Sequence, residues 1–347
     1  MAFGGAARAI VKCGTQATKD IGAEKFVSEY KSDRSEYKSH VVSLQDQAGV
    51  PRRFHLANQV ISFRMLLPLS SLHAATHLLY RARGATSRTV QLGARRFHLY
   101  EKTGTGRGPP VLLVHGLSGN AYSFAPLLGP LARLCRRVVL IDLAGHGRSL
   151  LGSDELPANA MEHAASIGEA LQLFGEPALL VGNSLGGGLA LHAAAQFPRR
   201  VAAVVALAPA GAPLSGADRA VLRDVFQDNL SSAMERIRRL YHHRPLPALL
   251  FARDMARQAS VPAVQTILSA LISADGALPP RVLSAIRCPV LVLWGASDQL
   301  LPASSVDYFR AHLHNGQVEV IPNCGHLPQL ERPQFVAARI ERLLGSL

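Results

Sequence analysis

The stretch Ala178-Leu179-Leu180-Val181-Gly182-Asn183-Ser184-Leu185-Gly186 joins a short apolar run to the start of a helical pattern. A strand that turns directly into a helix at a serine places the hydroxyl on a sharp turn above the sheet. Glycines two residues before and two residues after the serine let the strand and the helix approach closely. The amino end of the helix adds positive potential and a free N–H at Leu185. The sequence therefore predicts a nucleophilic serine, Ser184.

Strand and helix patterns alternate on both sides of this turn. The predicted strands are an antiparallel pair, Thr89–Leu92 and Arg96–Glu101, followed by Val111–Val114, Arg137–Asp142, Ala178–Val181, Val201–Leu207, Pro289–Trp294 and Val318–Ile321. The predicted helices between and after them are Ala125–Leu134, Ala158–Phe174, Leu185–Gln196 and Pro333–Leu344. Apolar strands that alternate with helices predict an α/β fold, with a mostly parallel central sheet and helices on both faces.

One block interrupts this alternation. Residues 215–287 contain no strand pattern, and four segments in it are typical of helices: Arg219–Asp228, Ser232–Tyr241, Leu246–Ala256 and Pro262–Ser273. A helical insertion at this point lies over the carboxyl edge of the sheet, where open α/β sheets bind ligands. We therefore predict a helical cap at 215–287, inserted between two sheet strands of a core formed by 89–214 and 288–347.

The N-terminal quarter differs from the rest of the chain. Five of the six lysines lie in the first 38 residues, and Lys102 is the sixth, so residues 1–50 are interpreted as an atypical tail, with a short helix over Ala23–Tyr30 as one option. Residues 51–88 are predicted to be an amphipathic helical extension, because apolar residues recur every three or four positions over Gln59–Tyr80. We expect its apolar positions, Ile61, Phe63, Leu67 and Leu72, to cover the body or the cap. An interfacial, membrane-proximal helix is the alternative.

The composition excludes several classes of protein. Of the 347 residues, 48% are hydrophobic and 18% are charged, which excludes a wholly disordered chain. Four cysteines do not make a disulfide scaffold. The net charge of +13 comes from scattered arginines without a recognition motif, so we predict no nucleic-acid partner. We expect a cytoplasmic protein, and leave open peripheral membrane contact through the N-terminal extension and a homodimer.

A serine nucleophile needs a base and an acid that orients the base. His326 follows the strand Val318–Ile321, and Asp298 follows the strand Pro289–Trp294, so both lie beyond carboxyl strand ends. The chain order Ser184, Asp298, His326 is the order expected for a triad built on successive strand ends of this sheet. Asp142 is the rival acid, but it precedes the serine and is interpreted as a turn-stabilising carboxylate. His192 is interpreted as a surface or packing residue, and His242 and His243 as solvated cap residues, with lining of the pocket as the alternative.

The loop after Val111–Val114 supplies the remaining part of the predicted site. Acyl transfer places negative charge on a carbonyl oxygen, which two converging backbone N–H groups can stabilise. We assign these groups to Leu117 and Leu185. His115 and Gly116 begin this loop, and His115 is expected to hold it by side-chain hydrogen bonds. Leu185, the cap and Phe124 are expected to form an apolar acyl pocket.

Taken together, these motifs resemble the serine-dependent α/β-hydrolase superfamily, and in particular capped bacterial carboxylesterases and monoacylglycerol-lipase-like enzymes. The resemblance covers 89–345 and is carried by His115-Gly116, the run from Asp142 to Ser149, the Ser184 turn with Gly182 and Gly186, and the Asp298 and His326 turns. It implies an α/β-hydrolase fold and hydrolysis of a small-molecule carboxylic ester through an acyl-enzyme, without a metal or an organic cofactor.

Other members of the superfamily fit the residues less well. Dehalogenases and epoxide hydrolases of this fold have Asp at the position of Ser184, and polyhydroxyalkanoate synthases have Cys there. Hydrolases of carbon–carbon bonds share a turn like Gly182-Asn183-Ser184 but usually carry a longer glycine-rich oxyanion loop with proline than Leu117-Ser118-Gly119-Asn120. A carbon–carbon hydrolase, a cofactor-free perhydrolase and a catalytically silent binding module remain the alternatives.

Overall fold

The computed structural model describes residues 69–93, 95–149, 160–273 and 276–347, together with three short strands nearer the N-terminus. The chain divides into two compact units, Met1–Leu66 and Leu67–Leu347. In the first unit, strands β1 (Phe26–Val27), β2 (Val42–Gln45) and β3 (Pro51–Arg53) form an antiparallel sheet in that order. The optional helix over Ala23–Tyr30 is wrong where β1 lies. Apart from β1 and β2, the predicted tail lies outside the described residues.

An eight-stranded sheet lies at the centre of the second unit. Its strands are β4 (Thr86–Leu92), β5 (Arg95–Thr103), β6 (Val111–Val114), β7 (Arg137–Ile141), β8 (Ala178–Asn183), β9 (Val201–Leu207), β10 (Val290–Gly295) and β11 (Gly316–Ile321). Their order is β11-β10-β9-β8-β6-β7-β5-β4. β6 to β11 are mutually parallel, whereas β5 is antiparallel to both β4 and β7. The predicted mostly parallel sheet with an antiparallel pair at its start is confirmed.

Helices connect the strands. Those that the structure describes are α1 (Leu69–Ala82), α2 (Ala125–Leu134), α3 (Ala160–Ala170), α4 (Leu185–Gln196), α5 (Gly216–Val225), α6 (Leu230–Leu240), α7 (Leu246–Leu250), α8 (Ala252–Ala259), α9 (Pro262–Leu271), α10 (Pro280–Ser284), α11 (Ser304–His312), α12 (Pro328–Glu331) and α13 (Pro333–Leu344). Short 3₁₀ turns cover Ala121–Phe124 and Leu171–Leu173. None of these helices is long and apolar enough to cross a bilayer.

The central strands are buried on both faces, which explains their continuous apolar sequences. Every residue of β6, β8 and β10 is buried. Because successive side chains of a strand point to opposite faces, one strand contributes to two cores. In β6, Leu112 and Val114 join one hydrophobic cluster, whereas Val111 and Leu113 join the other. The sheet is therefore covered by helices on both faces, as predicted.

The N-terminal extension differs from the prediction in two respects. Its described part is not continuous helix, because α1 ends at Ala82 and β4 begins at Thr86. β4 is an edge strand whose side chains are exposed or half-buried, so its first half lacks the apolar alternation of a buried strand. Leu72 was expected to cover protein surface, but its side chain is exposed. Residues 51–53 of the predicted helical extension form strand β3 instead, and residues 54–68, with Ile61, Phe63 and Leu67, lie outside the described residues.

The block between β9 and β10 is helical throughout its described elements, α5 to α10. The predicted helix Leu246–Ala256 is divided at Phe251, whose backbone (φ −100°, ψ 6°) leaves the α region between α7 and α8. Cap chemistry sets the start of α5, where Ser215 and Asp218 form a reciprocal capping box. Asn229 caps α6 by accepting the Ser232 N–H.

Candidate active site

Ser184 lies at the junction of β8 and α4 with a strained backbone. Its φ of 54° and ψ of −118° are outside the regions that L-residues normally occupy. The flanking glycines make this junction sterically feasible. A Cβ at Gly182 would lie 2.1 Å from the Gly186 carbonyl oxygen, and a Cβ at Gly186 would lie 2.1 Å from the Val114 carbonyl oxygen. The predicted close approach of strand and helix is confirmed.

The loop after β6 lies against this junction. A Cβ at Gly116 would be 3.2 Å from the Ser184 Cβ. Ser118 has a positive φ of 59°, and the Gly119 N–H donates to the Gly116 carbonyl at 3.0 Å, so the loop forms a tight turn. Within the described part of the chain the Leu117 amide donates no hydrogen bond. The Leu185 amide, at the first position of α4, has no acceptor inside the helix.

His115 holds this loop, as the sequence predicts. Its Nε2 accepts the Leu143 N–H at 2.9 Å, which leaves Nδ1 to carry the proton and donate to the Gly116 carbonyl at 2.8 Å. Complete burial lowers the pKa of His115, more than the charge of Asp142 raises it. The imidazole is therefore neutral and fully used in structural hydrogen bonds.

Asp142 is a buried structural carboxylate. Its oxygens accept the N–H groups of Ala121 (2.8 Å) and Arg148 (2.9 Å), and His98 Nδ1 lies 3.1 Å away. Burial acts to raise the pKa of Asp142, but the hydrogen bonds with His98 and with the backbone N–H groups hold it below its ordinary value. These bonds join β5, β7 and the start of the Ala121–Phe124 turn, so Asp142 stabilises turns, as predicted.

His326 and Asp298 form a buried pair. His326 Nδ1 lies 2.6 Å from Asp298 Oδ2, and the other carboxylate oxygen accepts the N–H groups of Leu300 (2.8 Å) and Leu301 (3.2 Å). The Nδ1 proton can thus be held by the carboxylate, leaving Nε2 as the basic nitrogen. His326 is 1% exposed, and its Nε2 makes no hydrogen bond within the described residues.

Asn183 connects this pair to the Ser184 junction, a role that the sequence reasoning missed. Its side-chain amide donates to the Leu207 carbonyl and to the His326 carbonyl, both at 3.0 Å. The residue before Ser184 therefore holds the loop that carries His326. The position of Asn183 between Gly182 and Ser184 could have indicated this role, because a buried side-chain amide at the end of a strand requires hydrogen-bond partners.

The C-terminal end of α6 also contacts the His326 loop. The His326 N–H donates to the Leu240 carbonyl at 2.8 Å. Glu331 accepts the Gly325 N–H at 2.8 Å and the His242 N–H at 2.9 Å. His242 is half-buried, and its Nδ1 lies 2.7 Å from the Ser297 hydroxyl, so the expectation of a solvated imidazole is wrong. His192 is half-buried within α4, consistent with a packing residue.

A narrow apolar cavity adjoins Ser184. Its walls come from the loops after β6 and β9, from α5 and α9, and from the start of α11, and they include Leu117, Ala210, Leu222, Phe226, Leu268, Leu271 and Leu301. Its free volume is about 40 Å³, room for about three water molecules. Leu185 and Phe124 do not line this cavity, so their assignment to the acyl pocket is wrong. Phe124 is instead buried in the core on one side of the sheet.

A second, larger cavity adjoins the same loop, and its lining includes several polar side chains. Its free volume is about 380 Å³, and Ser118, Gly119 and Asn120 line it. The helices α1 and α8 contribute His73, Ala74 and Gln258, and the turn after β7 contributes His146 and Arg148. The loop that carries Leu117 thus contributes to the walls of both cavities, the apolar one that Ser184 lines and this larger one.

Comparison with known proteins agrees with this architecture. A family model described as alpha/beta hydrolase fold matches residues 109–333, which is more than half of the chain. The chain belongs to the α/β-hydrolase fold family.

Individual relatives differ in what they act on. Monoacylglycerol lipase ABHD6 of Bos taurus is 27% identical over 266 residues, covering 70% of this chain and 77% of the lipase. The 2-hydroxymuconate semialdehyde hydrolase of Pseudomonas sp. (strain CF600) is 29% identical over 266 residues, covering 70% of this chain and 87% of that enzyme. The crystal structure of a bacterial membrane phospholipase A superposes with a TM-score of 0.69 at 25% identity, covering 84% of this chain and 94% of that one. This protein is thus a hydrolase of that fold, with relatives that include a monoacylglycerol lipase and a 2-hydroxymuconate semialdehyde hydrolase.

Proposed function

We propose that this protein is a serine hydrolase that cleaves carboxylic esters through an acyl-enzyme. The observation that carries the proposal is the His326–Asp298 pair, whose buried Nε2 has no hydrogen-bond partner among the described residues and whose loop is tied to the Ser184 junction by Asn183. A base with one nitrogen oriented by a carboxylate and the other free is what a weakly nucleophilic serine requires.

In this mechanism Ser184 attacks the acyl carbonyl while His326 Nε2 takes its proton. Asp298 keeps the other ring proton on Nδ1 and stabilises the imidazolium. The Leu117 and Leu185 amides donate to the oxyanion; both lie beside Ser184 and are free to donate. His326 returns the proton to the leaving alcohol and then activates a water molecule, which attacks the acyl-enzyme and releases the acid.

The cavity beside Ser184 supports an ester of an apolar acid. A carbonyl held at Leu117 lies next to this apolar cavity, and the larger cavity adjoins the following residues of the same loop, where it can receive the alcohol. The acyl chain would lie among Leu222, Leu268 and Leu271, under the helices proposed as the cap. Because the apolar cavity is narrow, these helices limit the length of the chain that fits without movement.

Hydrolysis of a carbon–carbon bond is the second candidate. The similarity to 2-hydroxymuconate semialdehyde hydrolase and the turn Gly182-Asn183-Ser184 favour it. The short loop Leu117-Ser118-Gly119-Asn120 favours ester hydrolysis instead.

The deciding experiment is hydrolysis of p-nitrophenyl esters of increasing acyl length by the wild type and by Ser184→Ala. We expect turnover by the wild type, a loss of several orders of magnitude in the variant, and phosphonate labelling of the wild type only. A meta-cleavage dienoate and a perhydrolysis assay run in parallel. Turnover of the dienoate without ester hydrolysis would select the second candidate. Retained ester hydrolysis in Ser184→Ala would overturn the mechanism, and inactivity on every substrate would indicate a binding module.

A further inference from the structure

The polarity of α1 is inverted relative to an ordinary surface helix. Its polar residues His73, Thr76 and His77 and the hydroxyl-bearing Tyr80 face the protein and are half-buried or buried. Its outward side consists of the exposed residues Leu72, Ala74, Ala75, Leu78, Leu79, Arg81 and Ala82. At 100° per residue these side chains occupy one half of the helix. An apolar stripe that faces solvent requires a partner.

The orientation of α1 is set by specific polar contacts, so the exposed stripe is not a result of loose docking. His77 Nδ1 lies 2.9 Å from the Tyr100 hydroxyl, and Asn120 Nδ2 lies 3.0 Å from His73 Nε2. The Tyr80 hydroxyl donates to the Ala121 carbonyl at 3.0 Å. Turning the helix to bury its leucines would break all three contacts.

The charges beside the stripe favour an anionic surface over a second copy of the chain. α1 contains no acidic residue, carries Arg81 in its last turn and is followed by Arg83. The exposed Arg148 lines the same cavity as His73 and Ala74 of α1. In a chain with a net charge of +13, two copies meeting at this stripe would bring like charges together, whereas anionic lipid headgroups would neutralise them.

We propose that the outward face of α1, formed by Leu72, Ala75, Leu78 and Leu79 and flanked by Arg81 and Arg83, docks on an anionic lipid surface. The leucines insert at the boundary between headgroups and acyl chains, and the arginines bind the headgroups. His73 and Ala74 of the same helix line the larger of the two cavities. Docking therefore brings this larger cavity next to the lipid. The docking itself does not depend on the proposed function.

The test measures how the full chain partitions onto vesicles of phosphatidylcholine alone and of phosphatidylcholine with phosphatidylglycerol. The variant L78Q/L79Q removes two leucines that are 67% and 41% exposed and keeps good helix formers. The control V320Q/L347Q changes two apolar residues of similar exposure, 39% and 54%, outside α1. A third variant, R81Q/R83Q, removes the charge. Hydrolysis of a water-soluble short-chain ester and the oligomeric state are measured for all four proteins.

We expect the wild type and the control to bind the anionic vesicles about equally, and L78Q/L79Q to bind at least about tenfold more weakly. R81Q/R83Q should lose the preference for anionic over neutral vesicles. Ester hydrolysis in solution should be the same in all four, so a failure of the proposed function leaves the binding result readable. Equal binding by L78Q/L79Q and the wild type, no binding by the wild type, or a dimer that only L78Q/L79Q dissociates would each overturn the proposal.

Discussion

The side-chain amide of Asn183 donates a hydrogen bond of 3.0 Å to the backbone carbonyl of His326, which lies 143 residues later in the chain. The same amide donates to the Leu207 carbonyl, so one side chain joins β8, β9 and the His326 loop next to Ser184. We interpret Asn183 as a residue that positions His326.

Replacing Asn183 with Ala should lower kcat by up to about a hundredfold with little change in KM, because His326 loses its register with Ser184. Two carbonyls lose a donor, at a cost of about 1–3 kcal/mol in the free energy of unfolding. Steady-state kinetics and urea unfolding measure both. The control is Asn315→Ala, which removes a similar amide-to-carbonyl bond of 3.0 Å far along the sheet. Equal kinetics in the two variants would show that Asn183 is only structural.

Glu331→Gln should reduce kcat more than it reduces stability. The two carboxylate oxygens of Glu331 accept the N–H groups of Gly325 and His242. In the glutamine variant one of these N–H groups would face the side-chain NH₂ and lose its acceptor. The His326 loop and the end of α6 would then no longer be held together. Glu319→Gln is the matched control, because it removes an equal charge from a pair with Arg339 at the surface. A kcat effect of the same size in both variants would contradict this role.

Leu268→Ala should extend the range of acyl chains that the protein hydrolyses. Leu268 lines the narrow apolar cavity beside Ser184, and removing three carbons lengthens it. Ile267→Ala is the control, since Ile267 is equally buried in the same helix but does not line the cavity. Both variants should lose about 2–5 kcal/mol of stability. Only Leu268→Ala should shift the acyl-length profile towards longer esters. An identical shift in Ile267→Ala would show that the cavity does not set the acyl-length preference.

Gly186→Ala should prevent folding. The new methyl group would lie 2.1 Å from the Val114 carbonyl oxygen, a backbone atom in the centre of the sheet, so α4 would have to move away from β6. We expect a loss of more than about 3 kcal/mol, measured as insoluble protein or a large fall in the melting temperature. Gly216→Ala, where nothing lies within 4 Å of the new Cβ, should leave the melting temperature nearly unchanged.

Stability should fall as the pH decreases below about 6.5, with His146 as one cause. Complete burial lowers the pKa of His146 from 6.5 to about 3 in the folded protein. Between these values the unfolded chain binds a proton that the folded protein does not, so protonation favours unfolding, by at most about 1.4 kcal/mol per pH unit. Above pH 6.5 His146 is neutral in both states, so its contribution to the free energy of unfolding no longer changes with pH.

Urea unfolding at several pH values tests this expectation. His146→Asn should flatten the dependence between pH 6.5 and about pH 3 relative to the wild type. His314→Asn, at an exposed imidazole, should run parallel to the wild type. If the free energy of unfolding had the same pH dependence in all three proteins, His146 would not be a cause of the loss of stability.

The sequence predicted the parts of the fold that depend on local pattern. Strands such as Val111–Val114 and Val201–Leu207 agree with the structure to the residue, because fully buried strands carry uninterrupted apolar runs. The edge strand β4 was only half predicted, because exposed residues carry little pattern. The pairing of His326 with Asp298 could be expected because carboxyl ends of neighbouring parallel strands meet at one edge of a sheet, as those of β10 and β11 do here.

By itself, the sequence determined the α/β architecture and the strained turn at Ser184, since only glycine fits at 182 and 186 where strand and helix cross. Only the tertiary structure decided which side of α1 faces inward, because the Tyr100 hydroxyl and the Asn120 amide that bind its histidines come from distant segments. The tertiary structure likewise decided that Asn183 and Glu331 hold the His326 loop. Periodicity reports burial along one segment, whereas hydrogen bonds between segments depend on how the packed elements bring their polar groups together.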